Sequence, residues 1–363
     1  MTPSKPLSIL SVAYPLAPVR MDPVGGAEHI LACLDRALTD AGHCSTVIAS
    51  ADSRVAGRLR AIPTAHGVID PTQHARAHAA VRTAMREILT QEPVDLIHLH
   101  GLDFSEYLPP PGVPVLVSLH LPLDLYPERA LRPERAGTWL LPVSADQARR
   151  GPDLGLLPPI ENGVALPARK PHARRAYALA LGRICPEKNF ADALEAAHRA
   201  ACPLLLAGHV YGYPEHRHYF ESEITPRLGP FDRWIGRITG ARKRRLLAGA
   251  RCVLIPSRIA ETSSLVAMEA LAAGVPVIAY AAGALPDIVE HGRTGFLVED
   301  VASMAHALCA ADQIDPEECR RAARERFSAE RMIDEYLCLY RRLTQAPAIR
   351  PSLSPCASRA PLP

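Results

Sequence analysis

Four short stretches carry residue types whose spacing suits chemistry. In ETSSLVAME, residues 261–269, Glu261 is expected in a loop after a strand and Glu269 on the second turn of a helix that Ser263 or Ser264 caps. Thr262 lies in the same approach to that helix. The free N–H groups at Ser263, Ser264 and Leu265, at the positive end of the helix dipole, form an anion site suited to phosphate. The Glu269 carboxylate can accept two hydrogen bonds from a ribose diol, and Glu261 can reach a sugar hydroxyl on the other side of the phosphates. The competing reading is a capped amphipathic helix with two unrelated surface glutamates.

In LGRICPEKNF, residues 181–190, Gly182 ends a strand and Arg183 and Lys188 follow. Two cations at the mouth of an α/β cleft can neutralise a diphosphate without a metal, and otherwise they are two solvated charges on a loop. In VGGAEHI, residues 24–30, Gly25 and Gly26 before a helix let a backbone approach a ligand closely, or simply make a tight turn. G-x-G-x-x-G is absent, which argues against a dinucleotide-dependent dehydrogenase.

His120 ends the apolar run VPVLVSLH. His98 and His100 share one strand face, and His74 and His78 are four apart on a helix; no third ligand is evident for either pair, nor for His216 and His218, so packed or solvated rings are expected and no metal site. D-x-D, a G-x-S-x-G elbow and a Walker loop are all missing, which argues against a Mg- or Mn-dependent diphosphate site and two common enzyme classes. The run ARKRR, 241–245, reads as the exposed face of a helix, or as a patch touching anionic lipid.

These residues need a frame. Residues 7–15 read as a short apolar strand, 27–42 as a helix with apolar positions at Ile30, Leu31, Leu34 and Leu38, and 45–50 as a second strand. A helix over 75–91 and strands over 94–100 and 113–120 follow, with short edge elements at 139–144 and 157–164. A second series begins at Ala176: strands at 177–182, 202–208, 251–257 and 275–280, and helices at 189–201, 241–250 and 263–274. Residues 329–343 form the last helix. Strand–helix alternation twice over predicts an α/β fold of two Rossmann-like, doubly wound parallel-sheet domains facing a cleft, with ligands beyond the carboxyl ends of the strands.

The expected domains are residues 1–167 and 168–328, with helix 329–343 packing back onto the first and a disordered Pro-rich tail at 346–363. A chain of 363 residues is long enough for both. The net charge of +3 supplies no broad field for nucleic acid, so no nucleic-acid partner is expected. Nine cysteines, odd in number and without C-x-x-C spacing, argue against a disulfide framework and for a reducing, cytoplasmic compartment. The segment 7–17 after Lys5 could mimic a signal peptide, but the glycine turn and helix behind it favour a buried first strand.

Several of these motifs, in one order, resemble the retaining glycosyltransferases of family 4, which have the GT-B fold. The resemblance runs through GGAE, VDLIHLHG, His120, PVS (142–144), ENGV (161–164), ALGRICPEKNF, LLLAGH, WIGRITG, CVLIPS, ETSSLVAMEALAAGVPVIAY and HGRTGFLV, and ETSSLVAME matches the family's E-x7-E. It implies transfer of a sugar from a UDP- or GDP-sugar, with retention and without metal or other cofactor, to an unknown acceptor that could be a sugar, a lipid-linked sugar or a small molecule; peripheral contact with the inner membrane face is compatible with it. By resemblance Glu269 holds the ribose, Glu261 contacts hydroxyls of the donor sugar, and Arg183 and Lys188 bind the diphosphate. Gly26 lets the first domain's loop approach the donor, His120 contacts the sugar from the acceptor side, and Ile238 lies where the base packs. Where the family often has Pro-Phe-Gly after the first glutamate, this chain has Thr262, Ser263 and Ser264, whose hydroxyls supply substitute contacts. An inactive nucleotide-sugar-binding relative and a GT-B sugar-nucleotide epimerase are the alternatives.

Overall fold

The structure is a computed structural model, and it describes residues 5–21, 25–65, 70–167 and 176–345. The start of the second expected domain, 168–175, and the expected tail at 346–363 lie outside the described residues.

The chain divides into two compact units: Met1–Glu161 with the chain from Met332 onward, and Asn162–Arg331. The first unit holds strands β1 (Ser8–Val12), β2 (Cys44–Ser50), β3 (Arg58–Ile62), β4 (Leu96–Leu99), β5 (Val115–Leu119) and β6 (Thr138–Pro142). The second holds β7 (Ala178–Leu181), β8 (Leu204–Ala207), β9 (Arg233–Trp234), β10 (Cys252–Ile255), β11 (Val277–Tyr280) and β12 (Gly295–Val298). The sheet orders are β3-β2-β1-β4-β5-β6 and β9-β8-β7-β10-β11-β12, with every pairing parallel. Both are the doubly wound order, whose direction reverses between β1 and β4 in one unit and between β7 and β10 in the other.

The sequence dictates this through strands that are apolar on both faces, as a parallel sheet covered on both sides requires. In β10, Val253 and Ile255 point to one core cluster and Cys252 and Leu254 to another. Leu179 on β7 joins the first cluster, and Ala178 and Ala180 join the second. The helix Leu265–Ala272 packs on one side of this sheet and Phe190–Arg199 on the other. In the first unit Leu10 and Val12 of β1 are fully buried, so the 7–17 segment is the first strand.

The helix Ala329–Gln345 completes the first unit. Its Tyr340 hydroxyl meets His98 Nδ1 at 2.7 Å, and its Tyr336 hydroxyl meets Ser118 Oγ at 2.9 Å; His98 Nε2 and Ser118 are themselves 2.9 Å apart. Four buried polar groups on β4, β5 and this helix thus satisfy one another.

Two local readings are corrected. Residues 157–164 hold no strand, only an isolated bridge from Val164 to Ser328. The charged segment Arg58–Ile62, not anticipated, is an edge strand, with Arg58 and Arg60 turned outward and ion-paired to Glu92 and Glu87. Among the described residues seven cysteines are free. Among the described residues no helix is long and apolar enough to cross a membrane.

Candidate active site

The second unit gathers its polar side chains where its strand order reverses. After β7 the chain makes a 3-10 turn, Pro186–Lys188, closed by Asn189 in the left-handed conformation (φ 52°) and held by Asn189 Nδ2 donating to Asp192 at 2.6 Å. After β10 the loop carries Ser257, Arg258 and Glu261 toward the helix Leu265–Ala272. The two loops are tied by Arg258 N donating to Glu187 O at 3.0 Å. Across this tie Lys188 Nζ is ion-paired with Glu261, whose carboxylate also accepts from Ser257 Oγ at 2.5 Å. Glu261 is buried and Lys188 is mostly so, which makes this a partly desolvated pair rather than a surface one.

Behind Glu261 the loop after β11 presses close. Ala284 N donates to Glu261 O at 2.7 Å, and Gly283 sits in the left-handed region (φ 59°) with no space for a side chain.

Glu269 behaves differently. Lys243 Nζ donates to its Oε1 at 2.7 Å, while Oε2 is buried with no hydrogen-bond partner. Ser264 is the residue before the helix, yet neither serine caps it: Ser264 makes no capping hydrogen bond, and Ser263 Oγ is buried and unpartnered. This corrects the expected cap. The first turn of Leu265–Ala272 therefore has no side-chain cap, as a bound anion would require. Arg183 is exposed in the loop after β7, and Thr262 and Leu265 are half-buried ahead of the helix. Ile238 is buried in the same core cluster as Leu247 and Met268, so it is a packed side chain.

Lys243 belongs to the ARKRR run, which was expected to be solvated. Its ammonium instead turns inward onto Glu269 from the helix Gly240–Gly249. Ser257 was also missed; a serine two residues past a strand end carries no signal until Glu261 is known to face it.

In the first unit, Gly25 precedes the helix Gly26–Asp40 and offers it no side-chain cap. The carboxylate of Glu28, three residues on, folds back over Gly25 and fills the space a side chain would take. Burial pushes the Glu28 carboxyl up from its ordinary value. Gly26 is exposed at the helix start.

His120 follows β5 and His100 follows β4. Their rings are parallel, 5.2 Å apart, with His100 Nδ1 3.0 Å from His120 Nε2. Burial holds His98 and His100 well below the ordinary imidazole range and lowers His120 to about 4. All three are therefore neutral near pH 7, and between His100 and His120 one ring must donate and the other accept. His100 Nε2 is buried and unpartnered.

Known proteins share this chain's pattern. Residues 24–203 match the family Glycosyltransferase Family 4, and residues 175–311 match Glycosyl transferases group 1. The alpha-maltose-1-phosphate synthase of Mycolicibacterium smegmatis is 30% identical over 217 residues, 54% of this chain and 53% of the relative. The chain thus spans about half the length of that relative, or less for the next ones it matches. Among solved structures, AviGT4, a glycosyltransferase involved in avilamycin A biosynthesis, is 25% identical with a TM-score of 0.70, covering 93% of this chain and 98% of its own. Anabaena HepE, solved with UDP-glucose, shares the fold at 19% identity and a TM-score of 0.69, covering 92% of this chain and 100% of its own. With both sheets in the doubly wound order and the two family matches together spanning residues 24–311, the chain has the GT-B fold and is similar to the group 1, family-4-like glycosyltransferases.

Proposed function

We propose that this chain transfers a sugar from a UDP- or GDP-sugar to a hydroxyl-bearing acceptor in the cytoplasm, with retention at the anomeric carbon and without a metal in the transfer step. The observation that carries the reading is the helix Leu265–Ala272: its N-terminal N–H groups lack a side-chain cap, and one turn on it holds a carboxylate oxygen, Glu269 Oε2, that is buried and unpartnered. A nucleoside diphosphate satisfies both at once, phosphate at the helix start and ribose diol at Glu269.

The rest of the site fits the same ligand. Lys188 has three donors, so it can keep Glu261 and still donate to a phosphate oxygen. Arg183 adds a second cation from the same loop. As the bond from the anomeric carbon to the diphosphate oxygen breaks, negative charge grows on the leaving phosphate and positive charge on the sugar ring. Fixed cations and helix N–H groups aimed at that phosphate lower the barrier. The acceptor oxygen bonds to the anomeric carbon on the face the diphosphate leaves, and its proton passes to a diphosphate oxygen. No enzymic nucleophile is needed. Glu261 orients hydroxyls of the donor sugar.

The test uses the full chain with UDP-glucose and GDP-mannose, water standing in for the acceptor, in EDTA. The expected result is slow release of nucleoside diphosphate and of sugar that is α when first formed, lost in Glu261→Ala and Arg183→Ala. A nucleotide sugar at a hundred times its dissociation constant should add about 2.7 kcal/mol of stability. No stabilisation by either donor, or release that is unchanged in both variants, overturns the proposal.

A further inference from the structure

We propose that the first unit binds one zinc-class divalent cation through His74, His78 and Asp103, with water completing the coordination. The site uses none of the residues assigned to the donor and does not depend on that assignment.

His74 and His78 lie one turn apart on the helix Pro71–Gln91, so their rings project from the same face. That helix start is fixed: the Asp70 side chain accepts from Gln73 N at 2.8 Å. Asp103 sits just ahead of the 3-10 turn Phe104–Tyr107, in the loop that follows β4. That loop is anchored by the buried side chains of Phe104 and Tyr107. The sequence offered two histidines and no third ligand; the fold supplies it from 25 residues away.

One ligand atom from each residue lies within 4.8 Å of the other two. His78 Nε2 and Asp103 Oδ2 are 2.6 Å apart, and the His74 and His78 ring centres are 6.0 Å apart. Tetrahedral zinc with bonds near 2.1 Å wants ligand atoms about 3.3–3.5 Å apart. Binding therefore opens the His78–Asp103 contact by less than about 1 Å and swings the His74 ring inward.

The outer contacts are also those of a metal site. The Tyr107 hydroxyl donates to Asp103 Oδ1 at 2.8 Å, fixing the carboxylate's other oxygen and leaving Oδ2 for the ion. All three ligands are half-buried, which limits competition from water without sealing the entry. Two imidazoles and one carboxylate select zinc, cobalt or nickel over magnesium or calcium.

A second cluster, Cys185, Glu187 and His216, also has ligand atoms within 4.8 Å. It is the weaker candidate, because burial raises the Cys185 thiol to about 11 and a thiol must lose its proton to bind metal. It provides the discriminating control.

The experiment strips the full chain with EDTA and titrates zinc chloride by calorimetry, then cobalt chloride by visible absorption. One ion per chain is expected, with cobalt d–d bands and no thiolate charge-transfer band. His74→Ala removes a half-buried ring and leaves the His78–Asp103 pair, so the variant folds, which far-UV dichroism checks. Zinc affinity should fall by more than about tenfold in His74→Ala and Asp103→Asn, since even an outer contact is worth that much, and by about tenfold in Tyr107→Phe. His216→Ala should bind as the parent does. The proposal is overturned if neither ion binds, if His74→Ala or Asp103→Asn binds undiminished, or if a thiolate band accompanies binding.

Discussion

Lys188 and Glu261 are joined as an ion pair across the loops that follow β7 and β10, the two strands flanking the reversal of order in the second sheet. Folding alone does not require that pair to be there, since both loops are already tied by the Arg258–Glu187 backbone contact. On the proposed reading, the pair sets a cation where the leaving phosphate develops charge. Lys188→Ala should cut donor turnover by about 10²–10³-fold, the usual loss when one donor to a developing oxyanion is removed. It should also destabilise, because Glu261 is left buried without its cation. Adding Glu261→Gln should restore the melting temperature without restoring turnover. If the double variant recovers both, the pair is structural only.

Glu269 has one oxygen held by Lys243 and one with no partner. Its free oxygen is expected to accept from a ribose hydroxyl. Glu269→Gln should weaken UDP or GDP binding by about 10–100-fold, the scale of one or two hydrogen bonds to a charged group. Turnover at saturation should change little, since ribose contacts do not alter between ground state and transition state. Calorimetry of nucleotide binding beside saturating kinetics checks the split. Equal binding by parent and variant would leave Glu269 as a partner of Lys243 alone.

The strands whose apolar residues serve two cores, such as 252–255, were legible because nothing else explains continuous burial between turn signals. So was the location of Arg183, Lys188 and Glu261 just past strand ends. The edge strand at Arg58–Ile62 was not, because an edge pairs on one side and tolerates outward arginines that erase the pattern. Lys243 was hidden in a charge run; its tie to Glu269, 26 positions on, comes from packing of two helices and not from local spacing. The His100–His120 contact depends on β4 and β5 lying side by side, with Leu99 opposite Val117, which no short-range rule supplies.

The histidines predict an acid-side loss of stability. Burial lowers His98 and His100 well below the ordinary range and His120 to about 4. In the unfolded chain each titrates near about 6.5, so between these values the unfolded state binds protons that the fold refuses. The contribution is whole above pH about 6.5 and is lost as the pH falls toward about 4. For His120 it is on the order of 3 kcal/mol across that window. Urea unfolding at pH about 7 and about 5 should show a smaller difference in His120→Gln than in the parent. Equal differences would mean that His120 is not held neutral by the fold.

Gly283 tests whether the placement of Glu261 matters, without touching its carboxylate. Its φ is +59°, and an added Cβ would lie 2.4 Å from both Glu261 N and Glu261 O. Those are backbone atoms and cannot swing aside, so alanine here must push the Glu261 peptide, which also accepts from Ala284 N. Gly42 provides the comparison: its φ is +77°, but nothing lies within 4 Å of where its Cβ would stand. Both Gly283→Ala and Gly42→Ala should lose about 1–2 kcal/mol for the left-handed backbone, read as a lower urea midpoint. Only Gly283→Ala should also lose donor turnover, since only there does the displaced backbone carry Glu261, the side chain proposed to orient the sugar. A misplacement of about 1 Å is enough to cost about 10²-fold in rate. Full turnover in folded Gly283→Ala would show that Glu261 tolerates such a shift, and its role in orienting the donor would have to be given up.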